Sequence, residues 1–465
     1  MKPLPKKIKN VLCIYPYLQE VPIYEFFPPV GIEYIAESIR DMVNNVTVID
    51  LRFEQNYTKF INSSLDMICI SVNWYYEFEN VCNIIRSLPQ NIFTVVGGRQ
   101  ATDYIEELFQ SCPNIDVIVR GDGEDTVREL VEKISPENIK GLSYRQSNKI
   151  VHNENRELPP VSNTLFPNRK FRRYKYFMSY QKVNIGPSFD SLMSSRGCPF
   201  NCKFCSFKLN PLGQKRNWSA RTPESVINEL KQIDAKVVAF IDDNFFADIK
   251  RAEKICDLII QEKIKKIFIA NARVSIAKYP FLIKKMYKAG FRLLMLGMES
   301  AQDKTLKQLN KGFNTAQAYE AFEIFKKSNI LTNGYFIIGL IGETEQEMLA
   351  IAPYAKSLGL DIISLNRLRF EKYSGLKELL DNNKDYYVGE GNRIYSKNYG
   401  PKEINQILKI IRAKFYDKKQ ILSLIFKGLR IGFPDWKFVL KTFFYLPKIL
   451  FKLKNRRKMK NYSST

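Results

Sequence analysis

Short apolar runs alternate with amphipathic stretches along the first 135 residues of the chain. The runs are almost continuously apolar and rich in β-branched residues, a pattern typical of strands buried on both faces of a parallel sheet. The stretches between them, such as residues 31–42 and 102–110, have helical spacing. The pattern predicts an α/β domain with a doubly wound five-strand sheet, which binds ligands at the carboxyl ends of its strands. The predicted strands are Asn10–Tyr15, Val46–Leu51, Asp66–Val72, Ile92–Gly98 and Asp116–Arg120.

A predicted β-hairpin and a proline-containing stretch follow this domain. The hairpin strands are GLSYR and KIVHN, and prolines stand at positions 159, 160, 167 and 187. Proline removes a backbone donor and interrupts regular structure, so this stretch is interpreted as a linker. We therefore expect the first domain at residues 1–140 and the hairpin with its linker at residues 141–188.

From residue 189 the alternation of strands and helices resumes. Helical segments separate the strands and are opened by a capping-type residue or a proline, as at Thr222-Pro223 and Tyr279-Pro280. Six such units predict a partial (β/α)6 barrel at residues 189–372, with the loops at the strand carboxyl ends available for chemistry. The predicted strands are SLMSSRG from Ser191, Lys236–Asn244, Lys265–Arg273, Leu293–Ser300, Leu331–Leu340 and Asp361–Phe370.

Residues 373–465 have a different pattern and are expected to form a helical, basic C-terminal region. A helical run covers residues 403–426, and apolar residues interleaved with lysines follow it. The longest uncharged stretches there, Gln420–Phe426 and Thr442–Pro447, fall well short of the roughly 20 residues that a transmembrane helix needs. This region is therefore expected to touch a membrane surface at most.

Composition narrows the class of protein, and the position of the charge matters more than its sum. Apolar residues make up 45% and charged residues 26% of the chain, which disfavours wholesale disorder, collagen-like repeats and a bundle of membrane helices. The formal net charge is +24. Seventeen basic residues and three acids lie between Lys402 and Lys460, so most of the excess belongs to the last 64 residues.

Cysteine and histidine content limits the chemistry further. The start of the chain, MKPLPKKIKN, lacks the apolar core of a secretory signal, so a cytoplasmic location is expected, where thiols stay reduced. The single histidine excludes mechanisms that need two. Five of the eight cysteines have no ligand-like spacing and are predicted to be small core residues: Cys13, Cys69, Cys82, Cys112 and Cys256.

The other three cysteines form the most specific motif, SSRGCPFNCKFCSF. Cys198, Cys202 and Cys205 have the spacing C-x3-C-x2-C directly after the first predicted barrel strand. Three thiolates on one short loop can hold three irons of a [4Fe–4S] cluster and leave the fourth iron open. A zinc site would need a fourth cysteine or histidine nearby, and the sequence has none close to the motif. The remaining alternative is three unrelated buried cysteines.

At these residues the chain resembles the radical S-adenosylmethionine (SAM) superfamily, whose signature is this triad with an aromatic residue, here Phe204, before the third cysteine. The resemblance implies that Cys198, Cys202 and Cys205 bind the cluster and are catalytic, and that SAM binds the open iron. It also implies that one electron from the reduced cluster cleaves SAM to methionine and a 5′-deoxyadenosyl radical. That electron would come from a reductant such as flavodoxin or ferredoxin.

Further motifs follow at the ends of the later barrel strands, where such a barrel places its ligands. Each is weak alone, and Asp243 or Glu299 could instead cap the next helix. Glycine in this setting lets the backbone approach a ligand, because it has no Cβ. By the resemblance, Asp242, Asp243 and Asn244 lie near the SAM amine, Arg273 and Glu299 hold its carboxylate and ribose, and Gly339 and Gly342 run along its adenosine.

A second resemblance is weaker at each residue but covers the whole first domain. The segments FFPPVGIEYIA, VTVIDL, ISVN, VVGGRQA and VRGDGED resemble the cobalamin-binding domain that precedes the barrel in the B12-dependent branch of the superfamily. The alternative is a flavodoxin-like domain that binds nothing. The resemblance places Pro29 and Gly31 at the first loop, Ser71 near the buried nucleotide tail, Gly97 and Gly98 where that tail passes, and Gly121, Gly123 and Glu124 at the last loop.

One departure from other cobalamin enzymes concerns the lower face of cobalt. The D-x-H-x-x-G motif that supplies an axial histidine is absent, and the loop after the first strand reads YPYLQEVPIYEF. The lower face must then be open, bound to water or covered by a side chain, for which Asn73 and Trp74 are the candidates. Weak axial ligation suits methyl transfer, because it favours the low-coordinate cobalt states that accept and release methyl.

Three interpretations of the basic C-terminal region stay open. Its charges can form a solvated helix face. Its aromatic residues, among them Trp436 and Phe438, can instead enter a membrane surface while the lysines reach anionic head groups. Nucleic-acid binding is the third interpretation and the least favoured, because methylthiotransferases that modify transfer RNA resemble a different layout, with a second cluster and a terminal β-barrel.

Together the two resemblances, over residues 8–372, imply a cobalamin-dependent radical SAM enzyme of the subgroup that contains the anaerobic magnesium-protoporphyrin ester cyclase and hopanoid methylases. We expect a methyltransferase that uses a [4Fe–4S] cluster, SAM and methylcobalamin on an unactivated carbon of a hydrophobic, membrane-associated molecule. A cytoplasmic enzyme bound peripherally to the membrane is expected. The alternatives are an oxidative cyclase without methyl transfer, an RNA-modifying enzyme and a non-catalytic cobalamin or redox sensor.

Overall fold

The computed structural model describes residues 4–432 except 6, 19–25, 75–76, 134, 148, 181–182 and 208, and also describes residues 440 and 444. By their internal contacts the residues divide into two units. The first unit contains Met1–Tyr176 and Leu209–Arg216, and the second contains Phe177–Lys208 and Asn217–Thr465. The segment 209–216, which follows the cysteine motif, thus packs with the first unit, where the Arg216 guanidinium lies 2.6 Å from the Asp122 carboxylate.

The first unit contains the predicted parallel sheet. Its first five strands are parallel and lie in the order β2-β1-β3-β4-β5, which confirms the doubly wound fold. The predicted hairpin is also present, but it pairs antiparallel with β5 and extends the sheet, which has seven strands among the described residues. The strands are β1 Asn10–Tyr15, β2 Asn45–Asp50, β3 Met67–Ser71, β4 Phe93–Gly97, β5 Val117–Val119, β6 Leu142–Gln146 and β7 Lys149–His152.

Both faces of this sheet are buried. Alternate residues of each central strand enter two separate apolar clusters, as with Ile68 and Ile70 on one face and Met67 and Cys69 on the other. The predicted helix at residues 102–110 is divided in two at Tyr104. The helices are α1 Val30–Ser38, α2 Phe78–Arg86, α3 Arg99–Asp103, α4 Ile105–Ser111 and α5 Glu124–Val131.

The second unit is built on a second parallel sheet, in the order β16-β15-β14-β13-β12-β9-β8. Six strands are parallel, as predicted for the partial barrel, and β8 pairs antiparallel with β9. The first parallel strand begins before the predicted Ser191. It contains Pro187, which the sequence pattern places in the linker. Proline is tolerated there because pairing with β12 begins only at Phe189. The strands are β8 Phe177–Tyr180, β9 Val183–Leu192, β10 Ser195–Arg196, β11 Ser219–Ala220, β12 Val237–Phe240, β13 Ile267–Ala272, β14 Phe291–Glu299, β15 Leu331–Ile338 and β16 Ile362–Arg367.

Helices connect these strands, and their starts follow the predicted signals. Thr222 accepts a hydrogen bond from the backbone of Ser225 and Pro223 stands at the first helical position, while Pro280 opens the helix after Tyr279. An apolar cluster fills the space between helices and sheet. The helices are α6 Pro223–Gln232, α7 Ile249–Gln261, α8 Pro280–Ala289, α9 Asp303–Gln308, α10 Thr315–Lys326, α11 Glu345–Leu349 and α12 Ile351–Leu358.

The region after residue 372 is helical, as expected, but it also contains a β-hairpin that the helical pattern did not reveal. The predicted helical run 403–426 is broken at Tyr416 and Asp417, because Asp417 caps a new helix by accepting a hydrogen bond from the Gln420 backbone at 2.8 Å. In the described part of the chain, no helix is long and apolar enough to cross a membrane. The elements are α13 Leu376–Asp381, β17 Tyr386–Gly389, β18 Arg393–Ser396, α14 Pro401–Phe415 and α15 Lys418–Ile431.

We predict that Gly98→Ala destabilises the first unit by about 2–3 kcal/mol. Gly98 has φ of +111°, and a Cβ there would lie 2.6 Å from Asn73 Oδ1 and 2.7 Å from the Val72 carbonyl oxygen. Thermal unfolding followed by circular dichroism measures the effect. Gly31→Ala is the matched control, because nothing lies within 4 Å of a Cβ at that helical position. Equal melting temperatures for the two variants would contradict the prediction.

Candidate functional site

In the second unit, the predicted cluster and SAM residues meet at one edge of the sheet. Asp242 to Asn244 follow β12, Arg273 follows β13, Glu299 ends β14, and Gly339 follows β15. Because parallel strands place all their carboxyl ends at the same edge, these residues surround one mouth. The cysteine loop begins at the same edge, after β9 and the short strand β10.

Two neighbouring aspartates hold the start of the cysteine loop. Asp242 is fully buried and accepts hydrogen bonds from the Ser194 backbone and hydroxyl, both at 2.5 Å, and from the Ser195 backbone at 3.0 Å. Burial raises the pKa of Asp242, and the hydrogen bonds from Ser194 oppose that rise. Asp243 accepts a hydrogen bond from the Gly197 backbone at 2.8 Å, directly before Cys198. Both carboxylates therefore position the loop, and their contact with SAM stays a prediction.

The three thiols form a set that fits a [4Fe–4S] cluster. Burial raises the pKa of Cys198, and it raises the pKa of Cys205 to about 12, so the thiolates need a compensating positive charge. Arg273 Nη1 lies 3.4 Å from Cys202 Sγ. No group of three cysteine, histidine or acidic side chains within the described residues is arranged to hold a single metal ion. A [4Fe–4S] cluster binds each of its thiolates to a different iron, and three thiols on one short loop can supply them.

Arg273 also connects the cysteine loop to the segment that precedes α10. Its guanidinium lies 3.8 Å from the ring centre of Phe200, inside the loop, and donates to the carbonyl oxygen of Lys311. The same segment binds the loop backbone, because Lys203 donates to the Leu309 carbonyl at 3.0 Å. The loop is thus held from two sides by contacts within the protein.

Lys311 is a site residue that the sequence motifs did not reveal. Its ammonium lies 2.7 Å from Glu299 Oε1, and both side chains are almost fully buried. It also lies 5.6 Å from the ring centre of Phe204. Gly297 leaves room for this pair, since a Cβ there would lie 2.6 Å from both charged atoms. A lysine in QLNKGFN has no distinguishing spacing, so only the fold identifies it.

The aromatic residue before the third cysteine packs against the far side of the mouth. Phe204 contacts an apolar cluster that includes Leu340 and Ile341, within the turn after β15. The two glycines of that turn have φ of +79° at Gly339 and +80° at Gly342, where other residues would be strained. The turn thus exposes backbone without a Cβ at two positions, and its contact with the adenosine of SAM stays a prediction.

Glu343 ends this turn and is buried. Its Oε2 accepts hydrogen bonds from the backbones of Gly339 at 3.2 Å and Leu340 at 3.1 Å, while Oε1 has no hydrogen-bond partner among the described residues. Burial raises the pKa of Glu343 to about 8. The Glu343 carboxyl therefore holds the glycine turn through these two hydrogen bonds.

A cavity of about 700 Å³ adjoins this mouth. The segments after β12 and β13 and helix α10 line it, and its walls combine apolar residues with polar and charged ones such as Lys278, Gln317 and Glu320. Asn244 and Arg273 contribute polar groups, and Phe200 of the cysteine loop forms part of one wall. This volume lies within the range of small-molecule sites.

In the first unit, the sheet order places a crevice between the carboxyl ends of β1 and β3, where the winding changes direction. Ser71 ends β3, and its hydroxyl accepts a hydrogen bond from Asn73 Nδ2 at 2.6 Å. The hydroxyl of Tyr17, after β1, accepts hydrogen bonds from the backbones of Asn73 and Trp74, both at 2.7 Å. Tyr17 is fully buried. The sequence pattern does not identify it as a site residue, because its partners lie 56 and 57 positions further along the chain.

The two candidates for the lower face of cobalt differ in their surroundings. The amide oxygen of Asn73 accepts a hydrogen bond from the Arg99 backbone at 3.2 Å, so both ends of this side chain are engaged within the protein. Trp74 is about one-third exposed. Which of them approaches cobalt stays a prediction.

The remaining predicted cobalamin residues lie at the same edge. Gly97 and Gly98 form the turn after β4, and Gly98 has no room for a side chain. Gly121 has φ of +76° after β5 and donates a hydrogen bond to Thr102 Oγ1 at 3.2 Å. Positive φ and close backbone approach account for these glycines, and they leave a surface without side chains for a bulky ligand. Pro29 and Gly31 stand at the start of α1, and Gly123 and Glu124 stand at the start of α5.

The five other cysteines are core residues, as predicted. Each is at most 2% exposed. Cys13 faces Cys69 across neighbouring strands, and Cys112 Sγ lies 3.8 Å from the Cys82 carbonyl oxygen. None of these five belongs to the mouth of the barrel.

We predict that Lys311→Met destabilises the second unit by about 3–5 kcal/mol, because it leaves the Glu299 carboxylate buried without its partner. The double variant Glu299→Gln, Lys311→Met removes both charges and should recover more than half of that loss. Denaturant unfolding of the two variants and of Glu299→Gln alone measures the coupling. A loss below about 1 kcal/mol for Lys311→Met would contradict a buried ion pair.

We predict that Glu343→Gln flattens the pH dependence of stability. The raised pKa means that the folded chain retains a proton that the unfolded chain loses, so stability is greatest in acid and falls as pH rises to about 8. The loss is at most about 1.4 kcal/mol per pH unit in that window. Melting temperatures at pH 6 and pH 8 should converge for Glu343→Gln but not for the wild type. Parallel shifts in both proteins would refute the assignment.

Comparison with known proteins agrees with this arrangement. Residues 192–354 match the radical SAM superfamily, and residues 21–131 match the B12 binding domain. An uncharacterized methyltransferase from Pyrococcus horikoshii is 32% identical over 356 residues, which cover 72% of this chain and 74% of the relative. The anaerobic magnesium-protoporphyrin IX monomethyl ester cyclase of Cereibacter sphaeroides is 28% identical over 59% of this chain, and the match spans 46% of that longer protein.

The solved structures include a similar fold. The radical SAM methyltransferase TsrM from Kitasatospora setae superposes with a TM-score of 0.69 at 15% identity, over 88% of this chain and 90% of that protein. The family matches and the Pyrococcus relative together cover both units. The chain therefore belongs to the cobalamin-dependent methyltransferase branch of the radical SAM superfamily, whose enzymes use a [4Fe–4S] cluster, SAM and cobalamin.

Proposed function

We propose that this enzyme methylates an unactivated carbon of a hydrophobic, membrane-associated molecule such as a polyisoprenoid, another lipid or a porphyrin. The observation that supports it most is the pairing, in one chain, of a three-thiol loop at a barrel mouth with a doubly wound domain that has a glycine-lined edge. When bound, the three cofactors supply the hydrogen-atom abstraction and the methyl group.

The residues of the chain position these groups. Arg273 holds the cysteine loop and places a positive charge beside Cys202. Glu299 and Lys311 neutralise each other inside the mouth, so Glu299 can accept a hydroxyl or amine donor without an unbalanced buried charge. Phe200 and Phe204 border this polar network, with Phe200 against Arg273 and Phe204 near Lys311.

The relatives of this chain support a hydrophobic substrate, since the cyclase acts, by its name, on a porphyrin ester, and hopanoid methylases are also similar in sequence. The cavity beside the mouth offers apolar contacts from Phe200, Phe246 and Phe313, next to polar groups such as Arg273 and Glu320. A peripheral position on the cytoplasmic face of the membrane and a one-electron reductant such as flavodoxin or ferredoxin are parts of the same proposal.

We predict that methyl-labelled SAM transfers its label to a product in an anaerobic reaction with reductant and a lipid extract of cells lacking the gene. The labelled product, identified by mass spectrometry, would name the substrate class. Cys202→Ala should abolish both the label and the formation of 5′-deoxyadenosine, because the cluster loses one of its ligands. Deoxyadenosine formation by that variant would refute the catalytic role of the triad and favour a sensor.

A second candidate is an oxidative cyclase or rearrangement enzyme with the same cofactors. The 28% identity to the magnesium-protoporphyrin ester cyclase favours it. The same experiment distinguishes the two, since a cyclase consumes SAM and forms deoxyadenosine but leaves no label in the product.

A further inference from the structure

Helix α15 attaches to the second unit through polar contacts. Gln420 Nε2 donates hydrogen bonds to the carbonyl oxygens of Leu360 at 2.8 Å and Asp361 at 3.1 Å, and Lys427 Nζ lies 2.7 Å from Asp361 Oδ2. At the end of the helix, Arg292 donates to the Ile431 carbonyl at 3.0 Å. Gly428 and Ile431 are buried on this side. The face that meets the protein is therefore more polar than the inner face of most surface helices.

The opposite face carries large apolar side chains that point to solvent. Ile421, Leu422, Ile425 and Phe426 are 44%, 54%, 37% and 69% exposed. At about 100° per residue they occupy one stripe, half a turn away from Gln420 and Lys427. We call these four residues the outer stripe. Scattered exposed apolar residues are ordinary, but four adjacent ones on one helix face mark an interaction surface.

Basic residues border the outer stripe. Lys418 and Lys419 stand at the start of the helix and Arg430 near its end, and all three are exposed. Residues 433–465, directly after the helix, contain nine basic residues and one acid. A partner of this surface must therefore carry negative charge and also offer apolar groups to the outer stripe.

We propose that α15 lies on an anionic lipid surface, with the outer stripe in the boundary between head groups and acyl chains and the flanking bases at the lipid phosphates. The charge pattern favours lipid over the two other occupants. Residues 433–465 are strongly basic, so packing them on the stripe would bring like charges together. A second copy of α15 would do the same. In this proposal α15 holds the enzyme at the membrane that contains the substrate of the proposed function. The lipid-binding proposal rests on the proposed function only for that role.

The test measures vesicle binding by the full chain without turnover. The probes are vesicles of phosphatidylcholine alone and of phosphatidylcholine mixed with phosphatidylglycerol, analysed by co-sedimentation. We expect Leu422→Ser, Phe426→Ser to weaken binding to the anionic vesicles by at least about tenfold, because two large apolar side chains lose their burial. Tyr387→Ser, Val388→Ser is the matched control, since these residues are also exposed and apolar, at 47% and 44%, but lie on the β17–β18 hairpin.

A second measurement locates the helix directly. Tryptophan in Phe426→Trp should be quenched by lipids brominated on their acyl chains, beyond the quenching seen for the wild-type tryptophans. Wild-type binding by the Leu422, Phe426 double variant, or absence of this added quenching, would overturn the proposal and leave residues 433–465 as the anchor. A concentration-dependent dimer that the double variant abolishes would overturn it in favour of a second copy. A methyl-labelling result leaves these outcomes unchanged, so the two proposals fail separately.

Discussion

The contacts that link Arg273 to Lys311, and Lys311 to the buried Glu299, are the constraint on which the barrel mouth depends. Arg273 contacts Cys202 and Phe200 in the cysteine loop and also binds the carbonyl of Lys311, whose ammonium neutralises Glu299. Charges in a water-poor site are costly unless each has a partner. The same residues that satisfy one another therefore fix the loop that presents the three thiols. Fixed positions for the groups that hold cofactors are the condition for keeping those cofactors in line.

Strand direction explains how a few polar residues can form a candidate site in either unit. In both sheets the central strands are parallel, so every loop after a strand opens at one edge, and residues far apart in sequence become neighbours. Tyr17 and Asn73 meet in this way across β1 and β3, as do Glu299 and Lys311 beyond β14. Glycine completes the arrangement where side chains would block it. At Gly98 the backbone conformation and the lack of space both exclude a Cβ.

The sequence predicts the parts of this molecule that depend on local pattern. Apolar runs and helical spacing identify the parallel strands, and the short spacing of Cys198, Cys202 and Cys205 identifies the cluster loop. Local pattern does not identify Lys311 or Tyr17, because their importance arises from contacts between distant segments. Pro187 suggests a linker but lies within β9. Proline is tolerated there because it precedes the residues that pair with β12, so no ladder hydrogen bond to β12 is required of it. The apolar stripe of α15 is visible in the sequence. That it faces solvent depends on Gln420 and Lys427, which bind residues just before β16 on the opposite side of the helix.

Asp361 ties α15 to a particular end of the barrel. Its carboxylate also accepts a hydrogen bond from the backbone of Thr332 at 2.8 Å, at the beginning of β15, whereas the glycine turn from Gly339 follows the other end of that strand. Eight residues of β15 separate the two ends, a length of about 26 Å. A bilayer in contact with α15 would thus lie on the side of the barrel away from the cysteine loop. Attachment there would raise the local concentration of enzyme at the membrane, while the substrate would have to leave the acyl layer before it could be methylated.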